Sequence, residues 1–336
     1  MKVSVIVPVY NVEEYISRCL ESIIQQSMTE GVECIVINDC TSDNSMKLVE
    51  QRIQNYHGKI HFRLIHNEIN RGIAAVRNIG LFYAQGKYIV YIDSDDYCEH
   101  DMIEKMYITA VNNDSEIVIS DYFIHTVDDV AYIKQLVSDN KLVRFKANLS
   151  DELKGFLWNK LIKKSLFTDN NIYYKEGVNF GEDFLIALQL FYYADKVSYV
   201  NQAFLHYMQD NLTSYSRSMS RKSLEDIIAC EKELFVFLIG KDMLQTVESE
   251  VELIRLRNFV QLIFRSSGQL QKKWIKPYKD LKPYVVIKYP HLISGIYWKI
   301  AIFFALLGLL PLYNFMRYIW RLLRLRYAET RPLFDD

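Results

Sequence analysis

The chain has 336 residues, half of them apolar and about a quarter charged, with a formal net charge of −1. This is ample material for one large globular domain or two small ones, and a balance so near zero gives no overall pull toward nucleic acid. The five cysteines (Cys19, Cys34, Cys40, Cys98, Cys230) are scattered, odd in number and without a C-x-x-C pair, which excludes a disulfide framework or a zinc site and fits a reducing compartment.

The first 125 residues alternate short apolar runs with amphipathic stretches. Residues 3–9 read as a buried strand, and 13–26 as a helix carrying Tyr15, Ile16, Cys19, Leu20, Ile23 and Ile24 on one face. A strand over 34–37 precedes a helix over 44–55; a strand over 62–65 precedes a helix over 73–84. A fourth strand, 88–92, leads to a helix over 100–112 and a fifth strand over 116–120. This alternation predicts right-handed βαβ units and a mainly parallel twisted sheet. Ligands of such sheets bind beyond the carboxyl ends of the strands. Polar clusters stand there: Tyr10-Asn11, Asn38-Asp39 and Asp93-Ser94-Asp95-Asp96. No Gly-x-Gly-x-x-Gly and no Gly-Lys-Ser/Thr loop is present, so neither a dinucleotide fold nor a P-loop is supported.

From Leu149 the pattern changes. Trp158-Asn159-Lys160 leads to Gly181-Glu182-Asp183 and an apolar helix over 184–193, then a short strand over 196–200 and the aromatic segment Phe204-Leu205-His206-Tyr207. Two helices are predicted over 223–238 and 247–264. After Lys272 the chain becomes basic and strongly apolar.

Asp93, Asp95 and Asp96 close an apolar strand with three carboxylates, whose mutual repulsion grows with desolvation. A hard divalent cation such as Mn²⁺ or Mg²⁺ would neutralise them, and such ions take oxygen ligands while holding substrate phosphates. The alternative is a solvated turn capping the following helix.

These segments resemble the family-2 glycosyltransferases, inverting enzymes of the GT-A fold that use nucleotide-diphosphate sugars. The resemblance runs from Val3 to Ser218 and rests on an ordered set: Val7-Pro8-Val9-Tyr10-Asn11, Asn38-Asp39-Cys40-Thr41-Ser42-Asp43, Asn70-Arg71-Gly72 with Arg77-Asn78-Ile79-Gly80, Asp93-Ser94-Asp95-Asp96, and Gly181-Glu182-Asp183. It implies an α/β GT-A domain over 1–218, with a Rossmann-like nucleotide-sugar half (1–125) and an acceptor half (126–218), followed by helices over 219–270 and a tail over 271–336. It further implies that Pro8, Tyr10 and Asn11 form the base pocket and that Asp39 accepts a hydrogen bond from the base, usually uracil. Arg77 is implied to bind the nucleotide or its phosphates, a surface ion pair being the alternative; Asp93 is implied to bind the ribose and Asp95 the metal, with His206 near the metal or else a hydrogen-bonded core residue among its aromatic neighbours. Asp183 is implied as the general base, with Glu182 beside it to position the acceptor; Trp158, Asn159 and Lys160 are expected to shape the acceptor side, though packing explains Trp158 equally well. Relatives often carry Arg where Met208 stands here, so Arg217 is expected to supply the diphosphate contact. Asn38 departs from the carboxylate common at its position. A nucleotidyltransferase would need a glycine- and lysine-rich loop after the first strand, which Val9–Glu14 lacks. A non-catalytic partner protein of the same fold is the remaining alternative.

From Gln271 onward there are 12 Lys/Arg against 4 Asp/Glu, a tail of +8 on a remainder of −9. Residues 300–316 carry no charge, the lower limit for a membrane span, but Gly308 and Pro311 interrupt them. Arg317, Arg321, Arg324 and Arg326 then alternate with apolar and aromatic residues, a pattern expected of an interfacial helix on anionic lipid. A core or homo-oligomer helix pair and a single span are the other readings. The first eight residues hold too short an apolar run for a signal peptide. The expected location is therefore cytoplasmic, peripheral on the inner membrane, with a glycan or lipid-linked acceptor and no nucleic-acid partner.

Overall fold

The computed structural model describes residues 1–209 and 220–326. The chain divides into two compact units, Met1–Leu234 and Phe235–Asp336.

The first half of the first unit contains β1 (Val3–Val9), α1 (Ile16–Ile24), β2 (Val32–Asn38), α2 (Ser45–Gln54), β3 (His61–His66), α3 (Ile73–Tyr83), β4 (Tyr88–Tyr91), β5 (Tyr97–Cys98) and α4 (Met102–Asn112). There follow β6 (Ile117–His125), β7 (Val130–Ile133), α5 (Lys141–Ser150), β8 (Lys160–Lys163), α6 (Lys164–Asp169), α7 (Glu182–Tyr193), β9 (Val197–Met208) and the start of α8 (Arg221–Gly240). Among the described residues the strands make one nine-stranded sheet in the order β3-β2-β1-β4-β8-β6-β9-β5, with β7 beside β6.

Every residue of β1 is buried because helices cover both faces of the sheet. Val3, Val5, Val7 and Val9 pack with Ile16, Leu20 and Met102 on one side, while Ile6 packs with Val76, Leu81 and Ile186 on the other. The predicted α1 face is borne out: Ile16, Cys19, Leu20 and Ile23 are its buried residues.

The parallel expectation holds for the first four strands of the order, β3-β2-β1-β4. Beyond them the sheet is mixed. The four-residue β8 enters antiparallel between β4 and β6, and β9 runs parallel to β6 but antiparallel to β5. The short strand expected over 196–200 and the aromatic segment after it are one strand, β9, whose register against β6 slips around Ser120–Tyr122.

Two local features open the sheet where β1 ends. The β1–β4 register covers only Val3–Ile6, so Pro8 lies past the last pair on that side, where a residue without an N–H costs no ladder bond. Beyond it Asn11 takes a left-handed backbone (φ 52°), which Asn tolerates better than most residues.

The second unit holds the rest of α8 with α9 (Glu248–Phe264), α10 (Gly268–Ile275), α11 (Val285–Lys288), α12 (Ile296–Leu306) and α13 (Leu310–Arg326). Arg255 of α9 binds Asp280 through both terminal nitrogens, at 2.6 and 2.7 Å. The uncharged segment 300–316 is not one helix: Gly308 (φ 81°) breaks it, and α12 and α13 fold back as a hairpin with Trp298 and Trp320 5.4 Å apart. Arg317 donates to the Ser266 carbonyl at 2.7 Å, fixing α13 to the end of α9. Among the described residues no helix is long and apolar enough to cross a membrane.

Candidate active site

Three strand ends converge, as the polar clusters predict. The loops after β1 and β2 are laced together: Asn11 N–H donates to Thr41 Oγ1 at 2.8 Å, Glu13 N–H to Asp43 Oδ2 at 2.9 Å, and Asn44 N–H back to Glu13 Oε2 at 2.8 Å. Tyr10 stands exposed above this lattice, and Pro8 is buried beneath it. Asn38 makes the local turn, accepting from Thr41 N–H at 2.8 Å. Asp39 is thereby free for a longer reach. Its buried carboxylate gathers the loop before α3, accepting from Asn67 Nδ2 (2.8 Å) and from the backbone N–H groups of Arg71 (2.9 Å) and Gly72 (2.8 Å). A carboxylate offers about four acceptor positions, so one further donor can be taken.

The carboxylates of Asp93-Ser94-Asp95-Asp96 have three environments. Asp96 is fully buried; Oδ1 accepts from Met208 N–H at 2.8 Å, and Oδ2 has no hydrogen-bond partner. Burial, reinforced by Asp95 and Asp93, pushes its carboxyl up. Asp95 is half-buried, and its carbonyl receives Arg18 Nη2 at 3.3 Å while Arg18 covers the Tyr97 ring. Asp93 binds Arg77 at 2.9 Å.

Arg77 corrects the sequence expectation. Instead of presenting a guanidinium to a nucleotide, it is buried at the centre of the site and ion-paired to three carboxylates: Asp93 through Nη2, and Glu182 (2.7 Å) and Asp183 (2.5 Å) through Nη1. The latter two open α7, where the helix N-terminus favours negative charge. Arg77 thus fastens the end of β4 to the start of α7. One cation is outnumbered by three anions. Burial raises both carboxyl pKa values; Asp183 adds to the rise at Glu182, and Arg77 opposes it at both. The site is a natural receptor for positive charge or a proton.

The loop before β8 supports Asp183 from the other side. The Leu157 backbone amide and the Lys160 ammonium favour its ionised form. Lys160 is buried with no carboxylate bonded to it; its Nζ donates to the carbonyls of Lys154 (2.9 Å) and Phe156 (2.5 Å) and to Asn159 Oδ1 (2.8 Å). Burial takes its pKa down to about 7. The sequence shows Lys160 only as part of the Trp158-Asn159-Lys160 segment and carries no sign of this electrostatic part.

Trp158 takes the packing alternative: it is buried in an aromatic stack, parallel to Phe156 (4.9 Å) and Tyr207 (5.6 Å) and edge-on to Tyr122 (4.7 Å). The exposed end of the stack is Phe156, which the sequence reading did not single out.

His206 likewise takes the hydrogen-bonded core alternative. Its ring lies between Tyr97 (4.2 Å) and Phe123 (4.6 Å), and its two nitrogens are bonded to His125 and Glu99, each at 2.8 Å. Ligating a metal would break one of these bonds. Arg217 lies outside the described residues.

Asp95 and Asp96 are the two carboxylates of the Asp93–Asp96 motif outside the Arg77 ion pairs. Among the described residues no three His, Cys, Asp or Glu side chains form a ready cage. Mg²⁺ and its like are commonly held by one or two carboxylates plus substrate phosphates. The half-buried Asp95, beside the unpartnered Asp96 Oδ2, matches that kind of site.

The model of the family described as "Glycosyl transferase family 2" matches residues 4–178. EpsH of Bacillus subtilis (strain 168) is 32% identical over 74% of this chain and 73% of its own length. Glycosyltransferase GlyG of Streptococcus pneumoniae is 27% identical over 83% of this chain and 93% of its own. The crystal structure of S. aureus TarS 1–349 in complex with UDP-GlcNAc superposes with a TM-score of 0.69 at 20% identity, over 96% of this chain and 92% of that one.

Proposed function

The chain belongs to glycosyl transferase family 2, and we propose that this glycosyltransferase is an inverting, metal-assisted one that moves a sugar from a UDP-sugar to a hydroxyl of a glycan or lipid-linked acceptor. The observation that carries the reading is the Arg77 cluster, which joins the carboxylate that ends β4 to the carboxylate best placed as base. UDP as donor nucleotide is supported by TarS 1–349, whose structures hold UDP-GlcNAc and UDP; transfer to a glycan-type acceptor is supported by a 24% identical relative named poly(ribitol-phosphate) beta-N-acetylglucosaminyltransferase TarS.

In this reading Tyr10 and Asn11 line the base pocket and the open acceptor position of Asp39 takes the N–H of the uracil. Asp95 would hold Mn²⁺ or Mg²⁺, which neutralises charge on the leaving diphosphate. The acceptor lies toward Phe156. Its hydroxyl oxygen attacks the anomeric carbon from the face opposite the diphosphate, the bond to the diphosphate oxygen breaks, and the hydroxyl proton passes to Asp183. One carboxylate suffices because the leaving group needs no protonation, unlike glycosidases with their flanking pair. Arg77, Lys160 and the Leu157 amide keep Asp183 able to ionise despite burial, and Glu182 is left to accept from an acceptor hydroxyl.

The test is sugar transfer by Asp183→Asn beside UDP binding by Asp95→Asn. Removing a general base is expected to lower kcat about 10²–10⁴-fold with metal-dependent UDP binding intact. Asp95→Asn is expected to lose the stabilisation that UDP gives in the presence of Mn²⁺. Transfer by Asp183→Asn at the unmodified rate would refute the base assignment, and UDP binding indifferent to metal would refute the metal.

A further inference from the structure

The α12–α13 hairpin has two faces. Its inner face is packed: Trp298, Ala301, Ile302, Leu310 and Tyr313 are buried, Asn314 Nδ2 reaches Gln271 Oε1 at 2.9 Å, and Arg317 holds the end of α9. The outer face is apolar and bare. On α12 and its C-terminal cap, Ile296, Ile300 and Leu307 recur at intervals of four and seven and are exposed, Ile296 at 73%. On α13, Leu312, Phe315, Tyr318 and Leu322 recur at three, three and four and are exposed, Phe315 at 60%; Leu309 in the connecting turn is exposed as well. At 100° per residue each set forms a stripe along one side of its helix. Aligned stripes on two neighbouring helices exceed the scatter of single exposed apolar residues normal on a soluble surface.

Charge says what covers this face. Between Asp280 and Glu329 the chain has no Asp or Glu, but seven Lys or Arg: Lys282, Lys288, Lys299, Arg317, Arg321, Arg324 and Arg326. A run of this length with cations alone, bearing an apolar stripe, matches a surface that is apolar within and anionic at its rim. An interface with a second copy of the same basic segment would set like charges together. We propose that the α12–α13 hairpin lies in the plane of an anionic lipid bilayer, its outer stripes sunk into the acyl boundary and Lys299 and Arg321 at the headgroups. The placement is along the surface and not across it, in keeping with the absence, among the described residues, of any helix long and apolar enough to cross a membrane. Insertion of the stripes supplies hydrophobic free energy and the basic residues supply attraction to the lipid phosphates.

The test is sedimentation of the full chain with vesicles of phosphatidylcholine alone and of phosphatidylcholine containing one third phosphatidylglycerol. The mixed vesicles are expected to bind at least about tenfold more strongly, and less as salt is raised. Phe315→Glu is expected to abolish binding to both, and Arg321→Glu to weaken only binding to the anionic vesicles. Both positions are exposed, and an unchanged melting temperature confirms that each variant is folded. Equal weak binding to both vesicle types, or wild-type binding by Phe315→Glu, overturns the proposal. So does a dimer, seen by light scattering without lipid, that Phe315→Glu splits into monomers. None of these outcomes depends on sugar transfer.

Discussion

Arg77 replaces the water that three clustered carboxylates would otherwise require, so its removal acts on folding before it acts on chemistry. Taking one partner from a buried ion pair commonly costs about 3–5 kcal/mol, and Arg77→Met is expected to lose stability in that range in denaturant titrations near neutral pH. The pH dependence has a definite sign. Glu182 and Asp183 have carboxyl pKa values raised in the folded state, so the fold binds more protons than the unfolded chain above the ordinary carboxylate range. Their contribution to stability is complete below that range and is lost as pH rises through about 6 for Asp183 and about 8 for Glu182. Arg77 opposes the shift, so the decline should be steeper in Arg77→Met, and the two proteins should converge in acid. A parallel decline in both would remove Arg77 from its assigned place. For catalysis, a raised Asp183 pKa puts the acid limb of the rate profile above the ordinary aspartate range. Lys160 lowers the Asp183 pKa, so Lys160→Met is expected to move that limb further up, with a smaller kcat and an unchanged KM for donor. An acid limb that stays in place would leave Lys160 with loop packing alone.

At the scale of elements, the entry to α3 depends on a backbone that only glycine adopts readily. Gly72 has φ 81° and ψ 162°, its N–H is held by Asp39, and a Cβ there would collide with the Asn179 amide, which itself receives the Ala74 N–H at 3.3 Å. Such a conformation costs a non-glycine residue on the order of 1–3 kcal/mol. Gly72→Ala is expected to lose that much in denaturant titration and also to weaken UDP binding, because Asp39 would lose its grip on the 67–72 loop. Loss of stability with UDP affinity intact would separate the loop from the donor site. The same elements explain what the sequence could reveal. The strands β1, β2 and β4 were legible because each is an apolar run closed by a polar cluster, and α1 because its face repeats every three or four residues. The insertion of β8 was not, since Lys160-Leu161-Ile162-Lys163 is too short to carry a period and its neighbours are supplied by distant chain. Asp93 and Asp183 were legible as candidates from their motifs. The ion pairs uniting them were not, because Arg77 meets partners 16, 105 and 106 positions away. For Trp158 and His206 the aromatic neighbours in sequence left packing open as an alternative, and the stacks that enclose them are the packed arrangement.

Over the whole molecule, the residues assigned to donor, metal and base all lie within Met1–Leu234, and the basic apolar hairpin lies within Phe235–Asp336. The acidic and basic excesses of the chain are divided the same way, which suits a negative catalytic cleft that takes a cation and a positive segment that takes an anionic surface. The division makes a spatial prediction for ligand binding. At a hundred times its dissociation constant a ligand adds about 2.7 kcal/mol to the stability of what it binds, and amide exchange reports where that stability is felt. With UDP and Mn²⁺ together, exchange should slow in the loops at 9–12, 38–44, 67–73 and 93–97, because those backbones are tied to one another through Thr41, Asp43, Asp39 and Arg77. Helices α9 and α12 should exchange at an unaltered rate. Anionic vesicles should do the reverse, slowing α12 and α13 and leaving the four loops as they were. Protection by UDP that appears in α9 or α12 while the four loops stay unchanged would move the donor site away from the strand ends, and with it the chemistry assigned to Asp95 and Asp183.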